Sequence, residues 1–322
     1  MGKFTRGGVL VKKGAKGGFV TKTSWRTDFR RNYSLYLMAL PGIVFFFILS
    51  YIPIGFLVVA FQNYKAARGI LGSTFVGLKN FRDLFGDFMF PTILKNTIIL
   101  NLLKIFLTFP MPVILALCFN EMPGKRIKGT LQSVVYLPHF FSWVIIYGIM
   151  NSMLNTNSGL VNQVIVALGG SEVPFLSKPG MFRGIMVLSE IWKEAGWGSI
   201  IYIAALSGIS PELYEAARID GASRIKQIWH VSLPGIRDTI VILFILSIGS
   251  LMSGSFEQVL VLKNSAVQDV AEIIPTYVYD KGIVNFKISY ASAVGLFQSV
   301  IGFVLVLFTN ITAKKMGGTA LW

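Results

Sequence analysis

Six apolar runs, each close to the length that crosses a bilayer, constrain this 322-residue chain more than any other feature. They lie near residues 35–61, 98–119, 131–150, 185–206, 239–255 and 291–312. A span needs roughly 20 mostly apolar residues. Lipid offers backbone amides no hydrogen-bond partner, so runs of this length must be helices. The composition agrees, with 53% of residues hydrophobic and 14% charged. The expected fold class is an all-α integral membrane protein with six transmembrane helices. The first run is too long for a cleavable signal peptide and no small-residue cleavage site follows it, so it reads as a retained span.

Basic residues set the expected orientation. The tail through Tyr33 holds Lys3, Arg6, Lys12, Lys13, Lys16, Lys22, Arg26, Arg30 and Arg31 against Asp28 alone. Lys125, Arg126 and Lys128 join the second run to the third, and Arg218, Arg224, Lys226 and Arg237 join the fourth to the fifth. Lys314 and Lys315 follow the last. By the positive-inside rule both termini are cytoplasmic. The same placement explains the net charge of +15, because basic residues beside spans are attracted by anionic headgroups. No nucleic-acid-binding motif accompanies them, so nucleic acid is not an expected partner. The layout reads as a basic tail, 1–32, whose Gly- and Lys-rich start is too polar to fold. A six-span membrane domain, 33–315, and a short tail, 316–322, follow. Cys118, the single cysteine, reads as inert packing in an apolar run.

Between the fourth and fifth runs lies a polar, well-punctuated segment, 210–234. Ser210-Pro211-Glu212 has the form of a helix start: an N-cap, a proline at the first position, then an acid near the positive helix end. Asp220-Gly221 reads as its stop, since glycine takes the left-handed C-cap conformation. A second short helix, 223–231, carries Ile225, Ile228 and Trp229 before Pro234 stops it. Two capped helices at a bend, with Ala216 and Ala217 on the shoulder, make a knob that can enter a partner's cleft. Outside the spans, residues 78–90 and 160–168 are apolar enough to form short interfacial helices, and residues 257–289 are numerous enough to meet an external protein.

Glu215-Ala216-Ala217, three residues, Gly221, nine residues, then Val231, one residue and Leu233-Pro234 resembles the signature of the membrane subunits of bacterial ABC importers, with Val231 where that family more often has Ile. The motifs Phe75-Val76-Gly77-Leu78-Lys79-Asn80-Phe81 and Lys95-Asn96-Thr97 are similar to maltose-type carbohydrate permeases. Val135-Tyr136-Leu137-Pro138-His139-Phe140-Phe141-Ser142-Trp143 and Ser255-Phe256-Glu257-Gln258-Val259-Leu260 resemble the branch that handles oligosaccharides from polysaccharides. The resemblance implies a type I importer permease fold in the bacterial cytoplasmic membrane. Its implied partners are a second homologous permease, two ATPase subunits, an extracytoplasmic solute-binding protein, a carbohydrate and membrane lipid. It implies that Glu215, Ala216, Ala217, Arg218, Asp220, Gly221, Leu233 and Pro234 engage the ATPase, with Glu215 facing a basic residue; Arg218 and Asp220 read equally well as a solvated face. It implies no cofactor in this chain, with ATP and Mg bound by the ATPase. The residues agree, since the nearest approach to a nucleotide loop, Gly72 to Gly77, lacks the Lys-Ser/Thr that reaches phosphate and magnesium. The chain is not expected to be an enzyme.

Charged residues inside spans are costly and tend to face a cavity or a partner. Glu190, Trp192, Lys193, Glu194 and Trp197 in the fourth run, with Trp143 and Tyr147 in the third, are the candidate substrate path. Rings suit the flat faces of sugars, and charged groups suit their hydroxyls. An internal Glu190–Lys193 pair is feasible, and the competing reading is an interhelical structural pair with interfacial tryptophans. Asn101 and Lys104 read as lining either the cavity or, preferably, a seam with a second permease. His139 has no second ligand beside it and reads as a hydrogen-bonding group at a helix kink. Gly196 and Gly198 read as sites of close helix approach. A permease for another solute and an ATP-independent secondary transporter are the alternatives.

Overall fold

The computed structural model describes residues 11–13, 19–21 and 25–315. The chain divides into two compact units, Met1–Val58 and Val59–Trp322.

In the first unit, Val11–Lys13 and Phe19–Thr21 pair as antiparallel strands, and Trp25–Arg31 is a helix. The sequence predicts no order before residue 33. Asp28 supplies the reason for the helix, because its carboxylate accepts from Asn32 and from the Tyr36 hydroxyl, both at 2.8 Å. The rest of the tail and residues 316–322, for which a disordered start and a cytoplasmic end are expected, lie outside the described residues. The helix Tyr33–Phe61 has no buried residue from Tyr33 to Gly55. Pro53 cannot donate to the helical ladder, and a π-turn at Phe47–Tyr51 shifts the register just ahead of it.

Among the described residues, three helices are long and apolar enough to cross a membrane: Tyr33–Phe61, Phe90–Glu121 and Ile288–Lys315. Two bent pairs raise the number to five if each is one span. The expected third and fifth spans are therefore not straight. Lys125–Phe140 turns by 103° into Trp143–Leu154, where Pro138 interrupts the ladder and Ser142 caps the new helix by accepting from the Ile145 amide. Arg224–Gly235 turns by 62° into Arg237–Gly249. The remaining expected span is the Pro179–Ser207 helix of 29 residues, about 43 Å at 1.5 Å per residue. It carries Arg183, Glu190, Lys193 and Glu194 and so falls short on apolar content rather than length.

That helix is the axis of the second unit. At Gly196 a β-carbon would collide with the Val135 carbonyl, and at Gly198 it would press on the Pro112 ring. The two glycines let the helix close on Lys125–Phe140 and on Pro110–Glu121, the close approach expected of them. Cys118 is exposed rather than packed, because the buried face of its helix is taken by Val113, Ala116 and Phe119.

Side chains tie the segment after Ser255 to the second span. Asn96 donates to the carbonyls of Asp269 and Glu272 and accepts from Arg183, and the Thr97 hydroxyl accepts the Ile274 amide. Asp87 accepts from the hydroxyls of Tyr277 and Tyr290 and from the Met89 amide. Burial alone would raise its carboxyl, but these three donors outweigh burial and hold it below the usual carboxylate range. The stability this contributes is present above the unfolded carboxylate pKa and is lost as pH falls through the lowered folded value. Burial, then the hydrogen bond to Asp87, pushes the Tyr277 phenol up.

The crossing at Gly196 is testable by substitution. Gly196→Ala is expected to destabilise the purified protein by roughly 1–3 kcal/mol, the usual cost of overpacking. Gly148→Ala, where nothing lies within 4 Å of the added carbon, is expected to leave the thermal midpoint unchanged. Equal midpoints for the two variants would refute the crossing.

Candidate functional site

The knob forms as two helices, one of them longer than the sequence suggests. The Ser210 hydroxyl caps the helix Pro211–Ile219 by accepting the Glu212 amide. Gly221 ends it at a φ of +74°. The Ala222 amide reaches back to the Ala217 carbonyl at 2.9 Å and the Gly221 amide to the Arg218 carbonyl at 3.1 Å. This double closure needs a left-handed residue, which glycine adopts without steric cost.

The following helix is not stopped by Pro234. It runs Arg224–Gly235, with a π-turn at Ile228–Ser232 that absorbs the missing proline donor. Gln227 donates to the Ala222 carbonyl, and Tyr214 and Ser232 share a hydroxyl hydrogen bond of 2.9 Å. Ser232 is completely buried, so this last contact fixes the angle between the two helices. Nothing in the sequence spacing marks Tyr214 and Ser232 as partners.

Glu215, Ala216, Arg218, Asp220, Gly221 and Pro234 are exposed, and Ala217 and Leu233 are half-buried. Glu215 has no ion pair among the described residues. The Arg218 guanidinium donates to the Tyr214 carbonyl of its own helix. Leu213, Ile219, Ile225 and Trp229 are also exposed, so the acidic residue stands among apolar side chains that have nothing to cover them. Leu233 packs with Ile209 against buried Tyr202, Leu206 and Ile236, which roots the knob in the bundle.

Within the bundle the charged residues form two linked groups. The Lys104 ammonium donates to Glu190 at 2.7 Å, to the Ser255 hydroxyl at 2.6 Å and to the Gln258 side-chain carbonyl. Gln258 in turn donates to the Met186 carbonyl and the Ser189 hydroxyl. Ser255, non-glycine at a φ of +70°, donates to Asn101. Left-handed backbone costs a non-glycine residue roughly 1–2 kcal/mol, and the two side-chain contacts offset that. Around these groups lies a cavity of about 180 Å³, lined by Asn101, Lys104, Glu190, Ser247, Ser250 and Ser255 among others.

One turn along the helix, Glu194 accepts from Lys193 at 3.2 Å and meets the His139 Nδ1 at 2.8 Å. Lys193 also donates to the His139 carbonyl and lies 5.8 Å from the Trp143 ring centroid. The His139 ring stacks on Trp197 at 4.5 Å with an interplanar angle of 1°. The structure therefore brings Glu190, Lys193, Glu194, Trp143 and Trp197 together with Lys104 and His139. Tyr147 lies a turn beyond Trp143 and is partly exposed. Trp192 is not in the group, because it lines an apolar groove with Met150, Met153 and Leu188.

One expectation changes: Lys104 and Asn101 are buried within this chain rather than set on a seam, because Lys104 finds three acceptors there. Glu190 forms an interhelical pair, as the competing reading has it, and its partner is Lys104. His139 sits at the bend and hydrogen-bonds there as expected, with a carboxylate as its partner. Ser255 and Gln258 belong to a recognisable motif, yet only the fold shows that they serve a lysine more than 150 positions away.

A family described as the binding-protein-dependent transport system inner membrane component matches residues 84–318. The chain belongs to this family. The permease is 44% identical over 288 residues to the polygalacturonan/rhamnogalacturonan transport system permease protein YteP of Bacillus subtilis (strain 168), covering 89% of this chain and 90% of that one. It is 41% identical to protein LplB of the same organism, over 93% and 94% of the two chains. Its structure matches a chain of a bacterial alginate ABC transporter, solved in complex with an alginate pentasaccharide-bound periplasmic protein. The TM-score is 0.85 at 37% identity, over 92% of this chain and 99% of that one. The permease is an integral inner-membrane transport subunit with the type I importer permease fold. It is not an enzyme, and ATP hydrolysis belongs to a separate subunit.

The lysine pairing gives a direct test. Lys104→Met leaves Glu190 without its cation, and breaking a buried pair costs about 3–5 kcal/mol. Adding Glu190→Gln to Lys104→Met is expected to recover part of that loss in a thermal melt of the purified protein. Additive losses in the double variant would show that the pair is not coupled.

Proposed function

We propose that this chain is the permease subunit of an ATP-driven importer that moves oligosaccharides or polysaccharide fragments across the bacterial cytoplasmic membrane. The observation that carries this reading is the capped knob, which presents unpaired Glu215 amid exposed apolar side chains and is rooted in the helix that also bears the charged cluster. The named roles of YteP and of the alginate transporter support carbohydrate as the cargo.

On this reading the domain spans 33–315 and the knob, 210–234, enters a cleft on one subunit of an ATPase dimer. Glu215 meets a basic group there, and Leu213, Ile219 and Trp229 pack around it. Ala216, Ala217, Arg218, Asp220, Gly221, Leu233 and Pro234 shape the contact. ATP and Mg are bound by that partner. By the positive-inside rule, basic Lys125, Arg126, Lys128, Arg224 and Lys226 support a cytoplasmic knob and cytoplasmic termini. A second permease completes the path, and a solute-binding protein delivers the sugar to the opposite end of the bundle. There a cleft of about 690 Å³ is lined by Lys79, Asp83, Lys281, Lys287 and Tyr290 among others. Trp143, Tyr147, Glu190, Lys193, Glu194 and Trp197 form this chain's side of the path, and Trp192 stands outside it on the apolar groove. Stacked Trp197 with the Glu194 carboxylate beside it combines a flat apolar surface with a hydroxyl acceptor.

A Glu215→Lys variant tests the reading. It is expected to reach normal membrane levels, but its hold on the ATPase should weaken at least about tenfold, since a hydrogen bond to a charged group contributes about 1.5–3 kcal/mol. Pull-down of the tagged chain reads the association, and uptake of labelled oligosaccharide reads the consequence. Unchanged uptake at equal expression would overturn the assignment, as would activity of the chain alone in liposomes without ATP.

A further inference from the structure

Beside the knob, an apolar groove of about 360 Å³ runs between Arg237–Gly249 and the end of Ile288–Lys315. Ile240 and Phe244 form one wall, Phe308 and Thr312 the other, and Phe109 stands edge-on to Phe244 at 5.4 Å. The threonines do not make the groove polar. Thr309 and Thr312 each donate their hydroxyl at 2.8 Å to a carbonyl of their own helix, which spends that polarity within the helix.

The one charged residue in the lining is Arg237. It is exposed, and among the described residues it has no ion pair, not even with its neighbour Asp238. Ala313 ends the other wall, and Lys314 and Lys315, both exposed and likewise unpaired, follow it directly. Arg237 opens one span and Lys314–Lys315 close another, so these cations stand at headgroup level. A narrow apolar slot with an unpaired guanidinium at its mouth matches an acyl chain that carries an anionic head. Guanidinium binds phosphate through paired, parallel hydrogen bonds, and basic pockets between spans are sites for anionic headgroups. A zwitterionic lipid brings its own cation to the same mouth and is disfavoured there.

We propose that this groove is a binding site for an anionic phospholipid, with the phosphate on Arg237 and an acyl chain along Ile240, Phe244 and Phe308. The site also has a mechanical position. Arg237 is the first residue after the 62° bend that joins the knob's second helix to its span. On the proposed coupling reading, a lipid held there stiffens the joint that carries motion from the ATPase. Binding itself does not depend on that reading.

The test is native mass spectrometry of the purified transporter titrated with phosphatidylglycerol or phosphatidylcholine. The wild type is expected to retain phosphatidylglycerol at least about fivefold better, the difference that roughly one basic contact supplies. Arg237→Gln should bring the two lipids to parity. Ala313→Leu, which narrows the groove and leaves the guanidinium in place, should lower retention of phosphatidylglycerol as well. Equal retention by the wild type, or undiminished preference in Arg237→Gln, would overturn the proposal. So would a photo-crosslinker at Phe308 that captures a protein chain instead of lipid. If lipid preference survives while Glu215→Lys leaves uptake intact, the lipid site stands and the coupling assignment fails. If preference vanishes only in the groove variants, stimulation of ATP hydrolysis by phosphatidylglycerol should vanish with it.

Discussion

A single ammonium inside the bundle determines how much of the rest is arranged. Lys104 is nearly buried, and a charge without partners in a lipid-surrounded interior is not sustainable. Its three acceptors come from the Pro179–Ser207 helix, from Ser255 in the turn after Gly249, and from the helix Phe256–Leu262. Meeting that one cation therefore fixes the mutual positions of three stretches of chain. It also explains why Ser255 adopts a conformation that its side chain would otherwise avoid. Gln258 extends the arrangement to Met186 and Ser189, so the lysine's needs reach about one further turn of the long helix.

Around this fixed point the spans bend where their backbone bonding is weakest. Pro138, Pro234 and the prolines at 110 and 112 each remove a donor, and the chain answers with a capped restart, a π-turn or a short break. Two of the bends lie at His139 and Ile236. One touches the Glu194–Trp197 group directly, and the other joins the knob's second helix to its span. The glycines at 196 and 198 then hold the long helix close to both neighbours, which on the proposed coupling reading lets packed backbone, not a loose loop, carry displacement of the knob.

How much of this was legible in the sequence depends on the range of the interaction concerned. Apolar length located helical segments at all six expected positions, because the bilayer imposes its own ruler, but it did not foresee the two bends or the charge of the Pro179–Ser207 helix. Ser210, Pro211 and Gly221 announced the first knob helix, because capping is decided within a turn. Gly196 and Gly198 signalled close approach, though not the neighbours approached. The charged residues of the fourth run were visible as anomalies and an interhelical pair was one reading of them, but spacing shows only the i,i+3 neighbour Lys193, while the partner, Lys104, comes from another span. Residues such as Tyr214, Ser232 and Gln258 are ordinary polar positions until the fold brings their partners to them. Pro234 misled for a related reason, since a proline reads as a stop unless a π-turn re-registers the ladder.

The helix Tyr33–Phe61 has a consequence for biogenesis. Among the described residues it is the first helix along the chain that is long and apolar enough to cross a membrane. Chains emerge N-terminus first, so this segment meets the translocation machinery while its later partners are still unmade. It is able to leave into lipid as soon as it is synthesised, in the first stage of a two-stage assembly. The charged long helix is the opposite case: Glu190, Lys193 and Glu194 become compatible with hydrocarbon only when Lys104 and His139 stand beside them. The early helix can therefore commit the topology of the chain well before the chemistry of its interior is complete.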